Sequence, residues 1–230
     1  MASLKQLARC IGLSGDISII RDFYGYTRVP TGKQLSLLTQ ARRLLNGPHI
    51  HLNLIRVGTN ENGWFSDSGE QTIDGAVQMM RDIYATVNIG VGRVERYSIT
   101  VAQANGRQNI DSDDEAQTLT EEWTVPNDAL DVFFVQRYYG TTGGISEIGG
   151  SCDKNAKRFT GCVVTIEMGP SATGRTLAHE IGHYLGLPHQ DLLFNLMTQS
   201  KFTGGVGFNL TDEQGQEMRE HCFIQPVCST

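Results

Sequence analysis

The stretch TLAHEIGHYLGLPHQDLLFNLMTQ, Thr176 to Gln199, holds three of the chain's six histidines, at 179, 183 and 189, together with a glutamate at 180 and a glycine at 186. On a helix, residues four apart lie about 40° apart around the axis and roughly 6 Å along it, so His179 and His183 project from one face and can hold a single ion through their imidazoles. Zinc takes histidine nitrogen at ~2.0–2.1 Å, and a catalytic site supplies three protein ligands and leaves the fourth position to water. His189 is the candidate third ligand. Gly186 can adopt the left-handed conformation that ends the helix, Pro188 prevents it from resuming, and the turn swings His189 back. Glu180 lies beside the open position and suits a general base that takes a proton from the zinc-bound water and passes it to the leaving amine. A structural zinc site is disfavoured, since such sites usually carry four protein ligands, commonly with cysteine, and the motif has no cysteine.

The elements that must position these residues are legible as patterns. Residues 31–47 carry apolar side chains at helical spacing and end in Asn46-Gly47; residues 71–90 read as a second amphipathic helix. Residues 49–58, 93–105, 129–139 and 161–168 read as strands, that at 129–139 as a buried one. The acidic run at 109–123 reads as a loop with a short helix. A glycine-rich stretch at 140–152 precedes the strand at 161–168, which leads into the helix carrying the histidines. Residues 209–222 read as a last helix, with Thr211 and Gln214 spaced as a capping box. Interleaved strands and helices give an α+β or mixed α/β class with one main sheet.

His179, Glu180, His183, Gly186 and His189 match the signature of the metzincin zinc peptidases residue by residue, and the chain resembles that family most specifically over Thr176–Gln199. The resemblance extends to NLMTQ, which supplies Met197 where metzincins have a methionine turn whose side chain forms an apolar floor beneath the metal. It implies one catalytic zinc ion and a peptide or protein substrate. The implied fold is a two-lobed peptidase: a twisted, mostly parallel sheet with a backing helix and an active-site helix, and a small irregular lobe ending in a helix. On that pattern residues 1–188 form the upper subdomain and 189–230 the lower one, the helix at 71–90 is the backing helix, and an extended substrate adds itself as a strand near 161–168. The main substrate pocket then involves residues 198–209, with Lys201 and Phe202 as shaping side chains and Gly204 and Gly205 as a mobile wall. GGISEIGGSC resembles adamalysin-type enzymes, LTDEQGQEMR resembles pappalysin-like members, and the spacing from His189 to Met197 resembles matrix metalloproteinases. Gln190 after the third histidine matches none of the larger subfamilies, which leaves the subfamily unassigned. No tyrosine follows the methionine closely, so a tyrosyl transition-state stabiliser is not expected there.

The whole chain fits this reading. It has 230 residues, 39% hydrophobic and 19% charged, which suits one globular catalytic domain expected as a monomer. A net charge of −6 and a pI near 5.5 argue against a nucleic-acid surface. Apolar runs such as LDVFFV are too short to cross a bilayer. The first residues show no secretory signal, whereas the cysteines and the resemblance favour an extracellular setting. Cys152 with Cys162, and Cys222 with Cys228, have spacings that suit local disulfides; four reduced thiols is the other reading, and Cys10 is left over. Cys10 only faintly matches the latency cysteine of matrix metalloproteinases.

Other groups read more plainly. His49 and His51 face one side of a strand and make a second metal conceivable, although a plain surface pair is the simpler reading. Asp111, Asp113, Asp114 and Glu115 could bind calcium but lack the EF-hand glycine and distal glutamate, so they read as an acidic helix start. His221 reads as a surface residue near a helix end. The expected function is zinc-dependent endopeptidase. The alternatives are a catalytically silent zinc-bearing binding or toxin-like module, for which Glu180 has no chemical use, and a hydrolase of non-peptide amides. Neutral imidazole ligands imply that zinc affinity falls below about pH 6.

Overall fold

Parallel strands need crossover connections, and the interleaved pattern supplies them. The computed structural model describes residues 47–140, 143–199 and 207–226. The helix expected over 31–47, apart from its last glycine, and the readings on Cys10, Lys201, Phe202, Gly204, Gly205 and Cys228 lie outside the described residues. Strand β1, His49–Thr59, is followed by helix α1, Asp67–Ala85, and strand β2, Gly90–Thr100. A short helix α2, Val101–Ala104, strand β3, Asn109–Ile110, and helix α3, Asp113–Glu122, lead to β4, Leu130–Val135. Then come β5, Arg137–Tyr138, β6, Gly144–Ile145, β7, Gly161–Thr165, and α4, Gly169–Tyr184. Helix α5, Asp212–Arg219, and strand β8, Ile224–Gln225, close the described chain.

The main sheet runs β2-β1-β4-β7-β6. Strands β2, β1, β4 and β7 are mutually parallel, and β6 is antiparallel at the edge. This is the expected mixed α/β architecture with a mostly parallel sheet. β8 pairs antiparallel with His49 and Ile50, on the flank of β1 that β4 reaches only from Leu52 onward. Because β1 is interior and both its faces are covered, its alternation splits between two cores rather than between core and water. Leu52 and Leu54 pack on one face with α1 and α4; Ile55 and Val57 pack on the other with residues of α3.

Several boundaries move for local reasons. Helix α1 starts early because Ser66 caps it, its hydroxyl accepting from the Gly69 N–H. It ends at Ala85, and Asn88 at φ 59° turns the chain into β2, so residues 86–90 are not helical as expected. The strand expected over 93–105 breaks at Thr100, where a capping box with Gln103 starts α2. The strand expected over 129–139 divides into β4 and β5. The acidic run does begin a helix: Asp113, Asp114 and Glu115 form the first turn of α3 behind the cap Ser112. The Thr211–Gln214 capping box is present at the start of α5.

Four expectations are corrected. The strand at 161–168 is not the rim: β7 ends at Thr165 and lies between β4 and β6, so the free edge belongs to β6. His49 and His51 are not a surface pair. They are 1% and 2% exposed, because β2 and β8 flank the start of β1. The local disulfides are replaced by one long-range bond, Cys152–Cys222, at a sequence separation of 70. Cys162 sits on β7 in the core beneath α4 and is a free, buried thiol, so it cannot turn toward Cys152. The loop before Cys152 is drawn elsewhere: Gly149 and Gly150 donate to the carbonyls of His183 and Tyr184, which sets Cys152 beside the end of α5. His221 is likewise half-buried, its Nε2–H donating to the Gly150 carbonyl at 3.0 Å.

Candidate metal centre

Helix α4 carries His179, Glu180 and His183 on a segment that is buried throughout. It ends in a Schellman motif: the Gly186 N–H donates to the His183 carbonyl and the Leu187 N–H to the Gly182 carbonyl, each at 2.9 Å. Gly186 has φ 114°, a conformation that a side chain at Cβ disfavours. The chain therefore reverses where the sequence places its glycine, and His189 returns to the helix. The Gln190 N–H donates to the Met197 carbonyl at 3.2 Å, which anchors the returning segment.

The three imidazoles converge. Nε2 of His189 lies 3.3 Å from Nε2 of His179 and 3.0 Å from Nε2 of His183. Nitrogens arranged tetrahedrally at ~2.0–2.1 Å from one ion would stand roughly 3.3–3.4 Å apart, so the spacing fits zinc. The tautomers fit as well. Nδ1 of His179 faces the Leu196 carbonyl at 2.8 Å and Nδ1 of His183 faces the Leu187 carbonyl at 2.6 Å. A carbonyl only accepts, so both Nδ1 atoms carry the proton and both Nε2 atoms present bare lone pairs to the common point. Burial lowers the pKa of His179 to about 3 and of His183 to about 4, and also lowers that of His189. Burial thus favours the neutral imidazole at all three positions, the form that ligates a metal.

Glu180 is buried beside them. Burial pushes its carboxyl up to about 8, opposed by a hydrogen bond from Ser146 and by the charge of Arg175. The Ser146 hydroxyl lies 3.0 Å from Glu180 Oε2 and 2.7 Å from the Glu180 carbonyl. Met197 is fully buried against the helix, where a Cβ on Gly182 would come within 2.9 Å of its sulfur. Glu180 lies on the same helix as His179 and His183, Gly186 lies in the turn that ends that helix, and Met197 packs against Gly182 of the helix. Ser146 and Arg175 were not singled out in the sequence. The only signals were a serine in a glycine-rich stretch and an arginine four residues before the first histidine.

The second histidine pair does not form such a site. Nδ1 of His51 accepts from the Arg93 N–H at 2.9 Å, so its proton sits on Nε2, which cannot then ligate. Among the described residues the other cluster of ligand-type groups is Cys152, His221 and Cys222, and there both sulfurs are committed to the disulfide.

Residues 68–190, more than half of the chain, match the profile of the reprolysin-like M12B metallopeptidases. The chain belongs to that family. Among solved structures, metalloproteinase-II from Bacteroides fragilis is similar to this reprolysin-like chain at a TM-score of 0.54 and 18% identity, over 77% of this chain and 54% of that one. The chain thus spans about half the length of that neighbour, and at this identity the likeness concerns the fold. Archaemetzincin from Methanopyrus kandleri aligns at a TM-score of 0.48 and 12% identity, over 75% of this chain and 95% of that one. No curated protein sequence matches the chain.

Proposed function

We propose that the protein is a zinc-dependent endopeptidase in which His179, His183 and His189 hold one zinc ion and Glu180 is the general base. The observation that carries this reading is the convergence of three ligand nitrogens, two of them with tautomers fixed for ligation, next to a buried carboxylate. Zinc bound there would act as a Lewis acid, polarising the scissile carbonyl and lowering the pKa of water. The ionised carboxylate of Glu180 takes a proton from the attacking water as the new C–O bond forms. It then gives that proton to the amine nitrogen as the C–N bond breaks. Beside a bound dication the carboxyl returns toward its ionised form despite its burial. Ser146 holds the carboxylate in place, and Met197 lines the floor under the ligands. In this reading residues 1–188 form the upper subdomain and 189–230 the lower one, and the working unit is a monomer.

The test is cleavage of a mixed peptide library by the wild type and by Glu180→Ala, with zinc content measured for both. The expected result is one zinc in each and cleavage by the wild type alone, the variant falling by roughly 10²–10⁴-fold. Zinc in both with cleavage by neither would replace the peptidase by a zinc-bearing binding module, and absence of zinc from the wild type would overturn the site itself.

A further inference from the structure

We propose that Arg175 is a positioning residue for the metal centre, acting through the Leu196 carbonyl to set the tautomer and aim of His179. The inference rests on the zinc reading above and adds to it a residue that no ligand motif contains. Arg175 lies four residues before His179 on α4, so the two side chains share a helix face. Its Nη2 donates to the carbonyls of Leu196 and Thr198, both at 3.1 Å, and its Nε donates to the Gly207 carbonyl at 3.1 Å. Among the described residues, these hydrogen bonds of the guanidinium all go to backbone carbonyls.

The Leu196 carbonyl is the one that receives the Nδ1–H of His179. A carbonyl oxygen offers two lone pairs, and here one is taken by His179 and the other by Arg175. The N–H of the same peptide unit, that of Met197, donates to Asn195 Oδ1 at 2.9 Å. The Leu196–Met197 peptide plane is therefore held at both ends. If that plane rotated, His179 would lose its acceptor, and the tautomer with the proton on Nε2, which cannot ligate, would become accessible. The same plane fixes where the Met197 side chain leaves the backbone. Thr198 and Gly207 flank residues 200–206 in the sequence, so one guanidinium ties a ligand's acceptor to both flanks of that segment. A lysine carries three donors on one point charge and cannot reproduce the planar fork that serves three carbonyls.

The experiment compares the wild type with Arg175→Lys, Arg175→Gln and a control, Arg219→Gln. Arg219 makes the same kind of bond, Nη1 to the Val87 carbonyl at 2.7 Å, between other elements. Two quantities are read: zinc affinity by competition with a chromogenic chelator, and the His179 tautomer in the metal-free protein by ¹⁵N NMR of the ring. The proposal expects both Arg175 variants to lose about tenfold in zinc affinity and to show a mixed His179 tautomer, with Arg219→Gln like the wild type in both. It is overturned if the Arg175 variants keep wild-type affinity and tautomer, or if Arg219→Gln loses as much affinity as they do. Should Arg175→Gln fail to fold, Arg175→Lys carries the comparison. A wild type that binds no zinc would sink the zinc reading, while the tautomer of the metal-free protein would still decide the role of Arg175.

Discussion

Ser146 and Glu180 show how much of a site rests on one hydroxyl. Glu180 is largely buried, and the Ser146 hydroxyl beside its carboxylate, together with the charge of Arg175, favours the ionised form. A hydrogen bond to a charged group contributes about 1.5–3 kcal/mol, so Ser146→Ala is expected to lower kcat by roughly tenfold or more. Zinc content and KM should stay near wild type, because the hydroxyl touches neither a ligand nitrogen nor, in this reading, the bound peptide. Steady-state kinetics with metal analysis checks this, and a large loss of zinc would show that the serine acts on the ligands instead. Arg175 and the Asn195 amide belong to the same scale. Each fixes one peptide plane, and that plane fixes one imidazole.

At the scale of elements, the working unit is a helix that stops on time. Helix α4 presents His179 and His183, and the Schellman turn at Gly186 returns the chain so that His189 can join them. An alanine at position 186 would hold φ near 114° only under strain. Gly186→Ala is expected to cost about 1–2 kcal/mol of stability and to weaken zinc binding more than a surface Gly→Ala change does. Thermal unfolding of the metal-free protein and a zinc titration measure the two effects separately; unchanged zinc affinity would mean that the turn does not aim His189. Helix α5 supports the turn from below. Its capping-box residue Gln214 exchanges two amide hydrogen bonds with Asn195, at 2.8 and 3.1 Å, which ties the Asn195 segment to that helix.

The molecule buries His51, His179 and His183, and burial disfavours the charged form of each, which links its stability to pH. Burial, aided by the charges of His49 and Arg93 and opposed by Asp128 and Glu95, lowers the pKa of His51 to about 4. An unfolded histidine titrates near 6.5, so between about pH 6.5 and 4 the unfolded chain binds the proton and the folded one does not. Stability from this group is complete above about pH 6.5 and is lost as the pH falls toward 4. Urea unfolding of the metal-free protein at pH 7 and pH 5 is expected to show a clear loss, and His51→Gln should flatten part of that slope. A slope identical in the variant would assign it to His179 and His183, whose pKa values are lowered in the same direction.

The sequence by itself determined what local geometry dictates. Four-residue spacing on a helix puts His179 and His183 on one face, a glycine at 186 permits the reversal, and a threonine with a glutamine three residues later caps a helix; these depend on a few adjacent residues and survive any tertiary context. The mixed class with one main sheet was legible for the same reason, because each strand–helix alternation spans a short stretch, whereas the mostly parallel arrangement came from the family resemblance. Only the tertiary structure decided what joins residues far apart in the chain. Cysteine spacing pointed to local bridges, yet packing of β7 buried Cys162 and joined Cys152 to Cys222 across 70 residues. Alternation on β1 suggested an exposed histidine pair, yet β8, from the other end of the chain, helps to bury it. Arg175 and Ser146 carry no motif because their partners are backbone carbonyls and a side chain brought near by folding. Periodicity reports which way a side chain points along its own element; which groups it meets there depends on how the elements pack.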